Sequence, residues 1–152
     1  EQHYLRSGSG GYGFIAKLGD MVGRVKAGKV VMTVDSGETV LPPIAVYASS
    51  LINPDCKIVL ASSDHRLLAF SIGELKVMPK GRGLQLMSLT EGASLEHVLV
   101  TTAAEFIVET GGKRGAAHQE KLRICGIEGK RGKKGKVLDI SGRLKTLSAA
   151  SE

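Results

Sequence analysis

The sequence predicts an all-β, propeller-like protein of about three four-stranded blades. Glycine supplies 20 of the 152 residues, about twice its usual share of ~7%, and the glycines separate short segments in which apolar and polar residues alternate. That pattern is typical of many short strands joined by tight turns. The sequence also repeats itself with a period of roughly 50 residues and about four strands in each period, as propeller blades do.

The alternating segments are shorter than most helices and have the length of strands, which usually run roughly 3–10 residues. They lie at 12–18, 29–34, 57–60, 65–70, 84–89 and 95–101. Residues 93–108 are also compatible with a helix that contains the helix formers Ala103 and Ala104. Two strands with a turn are preferred, because β-branched residues cluster before Ala103 and an apolar triplet follows Glu105.

Three repeats follow one another along the chain, at about 4–52, 57–103 and 105–147. Each begins with a strand and a tight turn, continues into a second strand, and reaches a basic loop that contains a glycine and precedes another strand. The loop glycines recur at spacings of 55 and 52 residues, as Gly28, Gly83 and Gly135. Because propellers normally close with at least four blades, three units suggest part of a larger disc whose other blades lie upstream.

The chain is basic, with 21 Lys and Arg residues against 15 Asp and Glu residues and a formal net charge of +6. Eleven of the basic residues but only three of the acidic ones lie between Lys113 and Lys145. A hydrophobic content of 42% excludes a disordered polar chain, and the short apolar runs exclude a membrane-spanning helix. We therefore expect a soluble protein with an anionic partner, nucleic acid above all.

The basic glycine loops are the candidate binding site. In residues 130–136, five cations are interrupted only by Gly132 and Gly135, so the backbone can approach a phosphate chain closely. Such a run is often a solvated loop, but weaker versions recur at the same place in the other repeats and would align along one rim of a disc. The candidate DNA-contacting residues are Arg24, Lys26, Lys29, Arg66, Lys80, Arg82, Lys113, Arg114, Lys130, Arg131, Lys133, Lys134 and Lys136.

The composition favours duplex DNA over a single strand. Aromatic residues make up 4% of the chain and Trp is absent, so the sequence does not indicate a platform for stacking bases. It also lacks an evident recognition helix or zinc finger. Contacts are therefore expected to depend on phosphate, salt and shape rather than on base sequence.

The sequence indicates no catalytic residue, metal site or cofactor. Residues 8–13 fit G-x-G-x-x-G, but a strand-like segment follows them, so a hairpin turn is preferred to a nucleotide loop. The four histidines lie outside metal-ligand spacing. Cys56 and Cys125 stand alone, which predicts a reduced cytosolic protein without zinc or a disulfide. The chain opens without Met or a leader, which suggests a fragment of a longer protein.

Several ordered motifs resemble the C-terminal domain of the A subunit of bacterial topoisomerase IV and, more distantly, that of the DNA gyrase A protein. They are GGYGFIAKL at 10–18, RVKAGKVVMTV at 24–34, VLPP at 40–43, KGRG at 80–83 and TGGKR at 110–114. The resemblance covers nearly the whole chain. It implies a β-pinwheel, a propeller-like disc whose blades exchange strands with their neighbours and whose outer rim binds duplex DNA.

The resemblance also implies a noncatalytic, DNA-bending module that helps a type IIA topoisomerase select DNA topology for decatenation or relaxation in chromosome segregation. The parent would be an ATP-dependent isomerase whose catalytic tyrosine lies outside this chain. The implied partners are double-stranded DNA, the upstream part of the same polypeptide, and the B subunit of topoisomerase IV in an A2B2 heterotetramer. The implied location is the bacterial cytoplasm, at the nucleoid or peripherally at the membrane.

One motif departs from the gyrase pattern. Gyrase carries a Q-R-R-G-G-K-G box that supports DNA wrapping, whereas the nearest match here, at 129–136, lacks the leading Gln and lies in the last repeat. Gyrase-like wrapping is therefore not expected. Two rival hypotheses stay open: a propeller-like module that binds an acidic protein or an anionic surface, and a small enzyme that binds a nucleotide at residues 8–13.

Overall fold

The architecture is that of a computed structural model, which describes residues 2–19, 34, 36–111, 117–138 and 143–150. Within these ranges the chain forms eleven strands, a helical turn at Ala48–Leu51, and two 3-10 turns at Ile72–Glu74 and Ile124–Gly126. The strands are β1 His3–Ser7, β2 Tyr12–Lys17, β3 Ile44–Val46, β4 Lys57–Ser62, β5 Arg66–Ser71, β6 Leu84–Gln85, β7 Leu95–Thr101, β8 Glu105–Gly111, β9 Ala117–Arg123, β10 Lys136–Val137 and β11 Arg143–Ala149.

The described strands pair into three antiparallel sheets. The first sheet has the order β3-β1-β2-β6, the second has the order β10-β5-β4-β7, and the third has the order β11-β8-β9. Consecutive strands of one hairpin pair within each sheet, as in β1 with β2, β4 with β5 and β8 with β9. The all-β fold class that the alternating segments predict is thereby confirmed.

Strand exchange links each of the first two sheets to the next unit of the chain. β6 belongs to the second repeat but pairs with β2, and β10 belongs to the third repeat but pairs with β5. The chain just before each exchanged strand also bridges the same neighbour in parallel, Ile15 to Val77 and Ala69 to Glu128. A sheet is therefore completed by the basic segment of the unit that follows it.

Gly83 and Gly135 let the exchanged segments approach their acceptor strands closely. Their φ angles are +88° and +80°, in the left-handed region that favours glycine. A Cβ on Gly135 would lie 2.5 Å from the Leu67 carbonyl oxygen, and one on Gly83 would overlap the Gly13 carbonyl. The glycines that repeat in the sequence are therefore required by backbone contact at these two positions.

The second sheet is covered on both of its faces. Ile58, Leu60 and Phe70 pack toward the first sheet, whereas Val59 and Ala69 pack toward the third. All five side chains are almost completely buried. This double coverage explains why β4 and β5 read as nearly continuous apolar runs rather than as alternating strands.

The third sheet has one polar face. On that face Gln119 donates a hydrogen bond to Glu109 at 3.1 Å, and Ile107 lies opposite Lys121. Residues 118–121 of β9 are exposed, whereas the four central residues of β2 and of β5 are mostly or fully buried. The third sheet therefore presents a solvated surface where the second sheet presents an apolar one.

The structure confirms most of the predicted strands. Those predicted at 12–18, 57–60, 65–70 and 95–101 correspond to β2, β4, β5 and β7, and residues 93–108 form two strands with a turn. The predicted strand at 84–89 is shorter, because Leu86 and Met87 leave the sheet edge and enter the core. The strand expected after the basic loop of the third repeat begins as β10. Residues 139–140, and residues 29–34 except Val34, lie outside the described ranges.

The alternation of apolar and polar residues does not predict two of the strands, β3 and β11. β3 has only three residues and follows two prolines, so it offers too little sequence for a periodic signal. β11 contains a register shift between Leu144 and Thr146, which interrupts the alternation that would identify it.

Candidate nucleic-acid interface

Two basic loops lie beside the exchanged strands. The first basic loop, residues 80–83, leads into β6 at one edge of the first sheet, and the second basic loop, residues 130–136, leads into β10 at the corresponding edge of the second sheet. The two loops thus occupy equivalent positions in consecutive units. The alignment of all three basic segments along one rim stays a prediction, because residues 26–29 lie outside the described ranges.

Backbone hydrogen bonds hold the second basic loop before, within and after its cationic run. The Gly129 amide donates to the Ala69 carbonyl at 2.9 Å, and the Gly132 amide donates to the Leu86 carbonyl at 2.8 Å. Beyond the loop, the Leu138 amide donates to the turn before β5 at 2.7 Å. The loop backbone is therefore fixed to the second unit along its length.

The lysine side chains of this loop project into solvent. Lys130, Lys133, Lys134 and Lys136 lie at the surface, and none of them takes part in an ion pair within the described ranges. Ammonium groups in this state can bind a phosphate without first giving up a carboxylate partner. Their backbone, already ordered, also loses less conformational entropy on binding.

Residues 84–88 bring the two basic loops together. This segment follows the first loop directly, and its Gln85 carbonyl accepts a 2.7 Å hydrogen bond from Arg131 Nη1. Its Ser88 hydroxyl donates to the Gly132 carbonyl at 2.8 Å. The exposed lysines of the two loops are together called here the lysine surface, which consists of Lys80, Lys130, Lys133, Lys134 and Lys136.

The arginines of the two loops make contacts within the protein. Arg82 lies 3.9 Å from the Glu38 carboxylate and 4.1 Å from the centroid of the Tyr12 ring. The backbone amide of Arg131 donates to Glu74 Oε1 at 3.0 Å, while its guanidinium holds residues 84–88. Both arginines therefore make contacts that hold the basic loops against the rest of the protein.

Arg66 connects the second basic loop to an acidic turn. Its Nε lies 3.5 Å from Asp64 Oδ2, and its Nη1 donates to the Gly135 carbonyl at 3.3 Å. Asp64 also accepts hydrogen bonds from the Ser62 and Thr90 hydroxyls, the latter at 2.7 Å. The Ser62 hydrogen bond above all lowers the pKa of the Asp64 carboxyl. Burial opposes this effect, whereas the Thr90 bond, a backbone hydrogen bond and the Arg66 charge add smaller lowering effects.

Five predicted site residues lie outside the described ranges. Their contact with DNA stays a prediction from the sequence: Arg24, Lys26, Lys29, Lys113 and Arg114. Conversely, sequence reasoning missed the carboxylates Glu38 and Asp64 that lie beside the basic loops. No local signal identifies them, because Glu38 meets Arg82 and Asp64 meets Thr90 only through the fold.

The other sequence motifs have structural roles. Residues 8–13 join β1 to β2 as a hairpin turn, with the Gly11 amide donating to the Gly8 carbonyl at 3.0 Å. Cys56 is buried, which raises the pKa of its thiol against a hydrogen bond from Ser50, whereas Cys125 is exposed. Among the described residues, no helix is long and apolar enough to cross a membrane.

The sequence is similar to part of a known bacterial protein. No protein-family model matches the chain. It is 67% identical over 149 residues to the A subunit of DNA topoisomerase 4 from Neisseria gonorrhoeae, a match that covers 98% of this chain and 19% of that protein. The protein of the same name from Haemophilus influenzae is 28% identical over 145 residues, with coverages of 91% and 18%. The chain thus spans about a fifth of the length of the curated relatives it matches.

Solved structures show the same fold. The ParC C-terminal domain of E. coli superimposes with a TM-score of 0.77 at 18% identity, covering 97% of this chain and 60% of that one. A DNA gyrase A C-terminal domain also gives a TM-score of 0.77, at 19% identity, covering 100% and 50%. These neighbours confirm the β-pinwheel fold, and the sequence relatives confirm the resemblance to the C-terminal part of the topoisomerase IV A subunit.

Proposed function

We propose that this chain is a noncatalytic module that binds duplex DNA within the longer A subunit of a type IIA topoisomerase. The observation that carries the proposal is the lysine surface, because four of its five cations stand on the second basic loop, whose backbone is hydrogen-bonded to the second unit. The 67% identity to a DNA topoisomerase 4 protein supports DNA as the polyanion.

The lysine surface suits contacts to the phosphate backbone. A lysine is a compact point charge that neutralises a phosphate and releases its counterion, so affinity falls steeply with salt. Bending a site of 20–30 bp costs on the order of 1–6 kcal/mol, which several such contacts together would offset. We therefore expect binding that tolerates changes of DNA sequence and that bends the duplex.

The module would act in a larger assembly. The parent would be an ATP-dependent type II topoisomerase whose cleaving tyrosine lies elsewhere in the same polypeptide, and it would work with the B subunit in the bacterial cytoplasm as an A2B2 heterotetramer. The module would hold a DNA segment and so help to select substrates for decatenation or relaxation during chromosome segregation.

Titration of two unrelated duplexes at several salt concentrations tests the proposal. Lys133→Ala and Lys134→Ala should each weaken binding by the same factor on both duplexes and lower the salt slope by about one. Lys145→Ala is the matched control, because Lys145 is also an exposed lysine. It lies on β11, which contacts β7, and β7 and β10 are the two opposite edge strands of the second sheet. It should leave the slope unchanged.

Two results would contradict the proposal. Unchanged slopes for both loop variants would exclude these lysines as phosphate contacts. Binding to an acidic peptide or to anionic vesicles without measurable binding to duplex DNA would instead favour a protein- or surface-interaction module.

A further inference from the structure

A carboxylate and an arginine meet where the second basic loop ends. The Asp64 carboxylate is held by the hydroxyls of Ser62 and Thr90 and lies 3.5 Å from Arg66 Nε. The other end of the guanidinium donates to the carbonyl of Gly135, within the loop, at 3.3 Å. The charge of Asp64 therefore orients an arginine that is bonded to the loop backbone.

The first unit has a similar arrangement made from other residues. Gly10 precedes Asp64 by 54 positions, and a Cβ on Gly10 would overlap the Glu38 carboxylate. Glu38 thus places its carboxylate where a side chain of the equivalent turn would lie. It faces Arg82 of the first basic loop at 3.9 Å, and Arg82 stacks on Tyr12, which precedes Arg66 by 54 positions.

The repetition points to a role in holding the loops. The two units share no residue type at the acidic position, yet both place a carboxylate and an arginine between the hairpin turn and the exchanged basic segment. The Asp64 and Arg66 side chains are about one-third exposed, so their ion pair contributes little to the stability of the whole protein. Its effect is expected to be local: it keeps the adjoining loop ordered.

We propose that Asp64 and Arg66 are positioning residues that fix the second basic loop so that its lysines meet a polyanion, and that Arg66 does not itself contact that polyanion. The proposal rests on the proposed function. The direction of the change in DNA affinity distinguishes this positioning role from a purely electrostatic one. Removal of the negative charge of Asp64 would strengthen DNA binding if charge alone mattered, whereas loss of positioning weakens it.

The first measurement needs no DNA. Trypsin cleavage after the loop lysines reports how often residues 130–136 leave the protein surface. In Asp64→Asn and in Arg66→Gln, cleavage should become roughly three- to tenfold faster. Glu91→Gln is the matched control, because it makes the same charge change at an exposed position in the neighbouring turn, and it should leave cleavage unchanged. Protection of Cys56 from a thiol reagent verifies that each variant is folded.

The second measurement is duplex affinity against salt. Asp64→Asn should bind DNA several-fold more weakly than the Glu91→Gln control, despite an equal gain in net charge. Arg66→Gln should also bind more weakly but keep the salt slope of the parent chain, because the lysines that contact phosphate are still present.

Any of three outcomes would overturn the proposal. Binding of DNA by Asp64→Asn as tight as, or tighter than, that of the Glu91→Gln control would show that charge alone matters. Unchanged cleavage in both variants would show that the pair does not hold the loop. A salt slope lowered by about one in Arg66→Gln would show that Arg66 contacts phosphate directly. If the parent chain fails to bind DNA, the proposed function and the role toward a polyanion fail together, and the cleavage rates alone decide whether the pair anchors the loop.

Discussion

The neighbours of Asp64 stabilise its negative charge. This stabilisation sets the pH range over which the second basic loop stays anchored. The Ser62 hydroxyl, followed by Thr90 and Arg66, lowers the pKa of this carboxyl. Such a group contributes stability above its ordinary pKa of about 3.9, and the contribution is lost as the pH falls through the lower value of the folded protein. We expect the loop to stay anchored between about pH 8 and about pH 5 and to loosen only below about pH 4.

An acid titration followed by the amide chemical shifts of Gly132 and Leu138 measures this behaviour. The wild-type chain should show a local transition below about pH 4, and Asp64→Asn should lack it. A transition near pH 6 would contradict the assignment and indicate a histidine instead.

The lysine surface was predictable from the sequence, whereas the residues that hold it were not. Lys130 to Lys136 are close together along the chain, so their density is visible without a structure. The contact of Arg66 with Gly135 spans 69 positions, and that of Arg82 with Glu38 spans 44. Contacts of this kind arise from strand exchange, and no local pattern of residue types encodes them.

At the scale of the structural element, Gly135 joins the second basic loop to the edge of the second sheet. Ala at this position would meet the Leu67 carbonyl at 2.5 Å and would also adopt a φ of +80°. Gly92 is the matched control, since its φ is +82° but a Cβ there meets nothing within 4 Å. We expect Gly92→Ala to cost about 1 kcal/mol and Gly135→Ala about 2–4 kcal/mol, because close contact adds to the same backbone strain.

Urea unfolding of the two variants gives these free energies of unfolding. Equal costs would show that the left-handed backbone alone requires glycine, and that the contact with Leu67 relaxes freely.

Strand length, together with the register shift in β11, decided which elements could be predicted. β2, β5 and β7 have six or seven residues, enough for alternation or an apolar run to appear. β6 and β10 have two residues each, and their partners lie in the sheet of another unit. The glycine spacing located these segments correctly, but only the fold shows which sheet each completes.

At the scale of the whole molecule, the second sheet lies between two hydrophobic clusters, one shared with the first sheet and one shared with the third. Leu60 is fully buried between the first and second sheets. We expect Leu60→Ala to destabilise the chain by about 2–5 kcal/mol and to leave a single unfolding transition, because β6 and β10 tie neighbouring units together. Ile107→Ala, on the polar face of the third sheet, should cost clearly less.

Parallel unfolding curves from tyrosine fluorescence and far-ultraviolet circular dichroism test this cooperativity. The three tyrosines lie in or next to the first sheet, so their signal reports that sheet, while the dichroism reports all strands. Coincident curves are expected. An earlier fluorescence transition would show that the first sheet unfolds independently.

The exchange of β6 and β10 has a consequence for how such a chain can evolve. The second unit gives β6 to the unit before it and receives β10 from the unit after it. If a genetic event deleted that whole repeat, β10 would face β2 in place of β6, and each remaining donor would still meet an acceptor. Duplication of one repeat would preserve the same balance. The number of units can therefore change in single steps without leaving an unpaired strand edge inside the array.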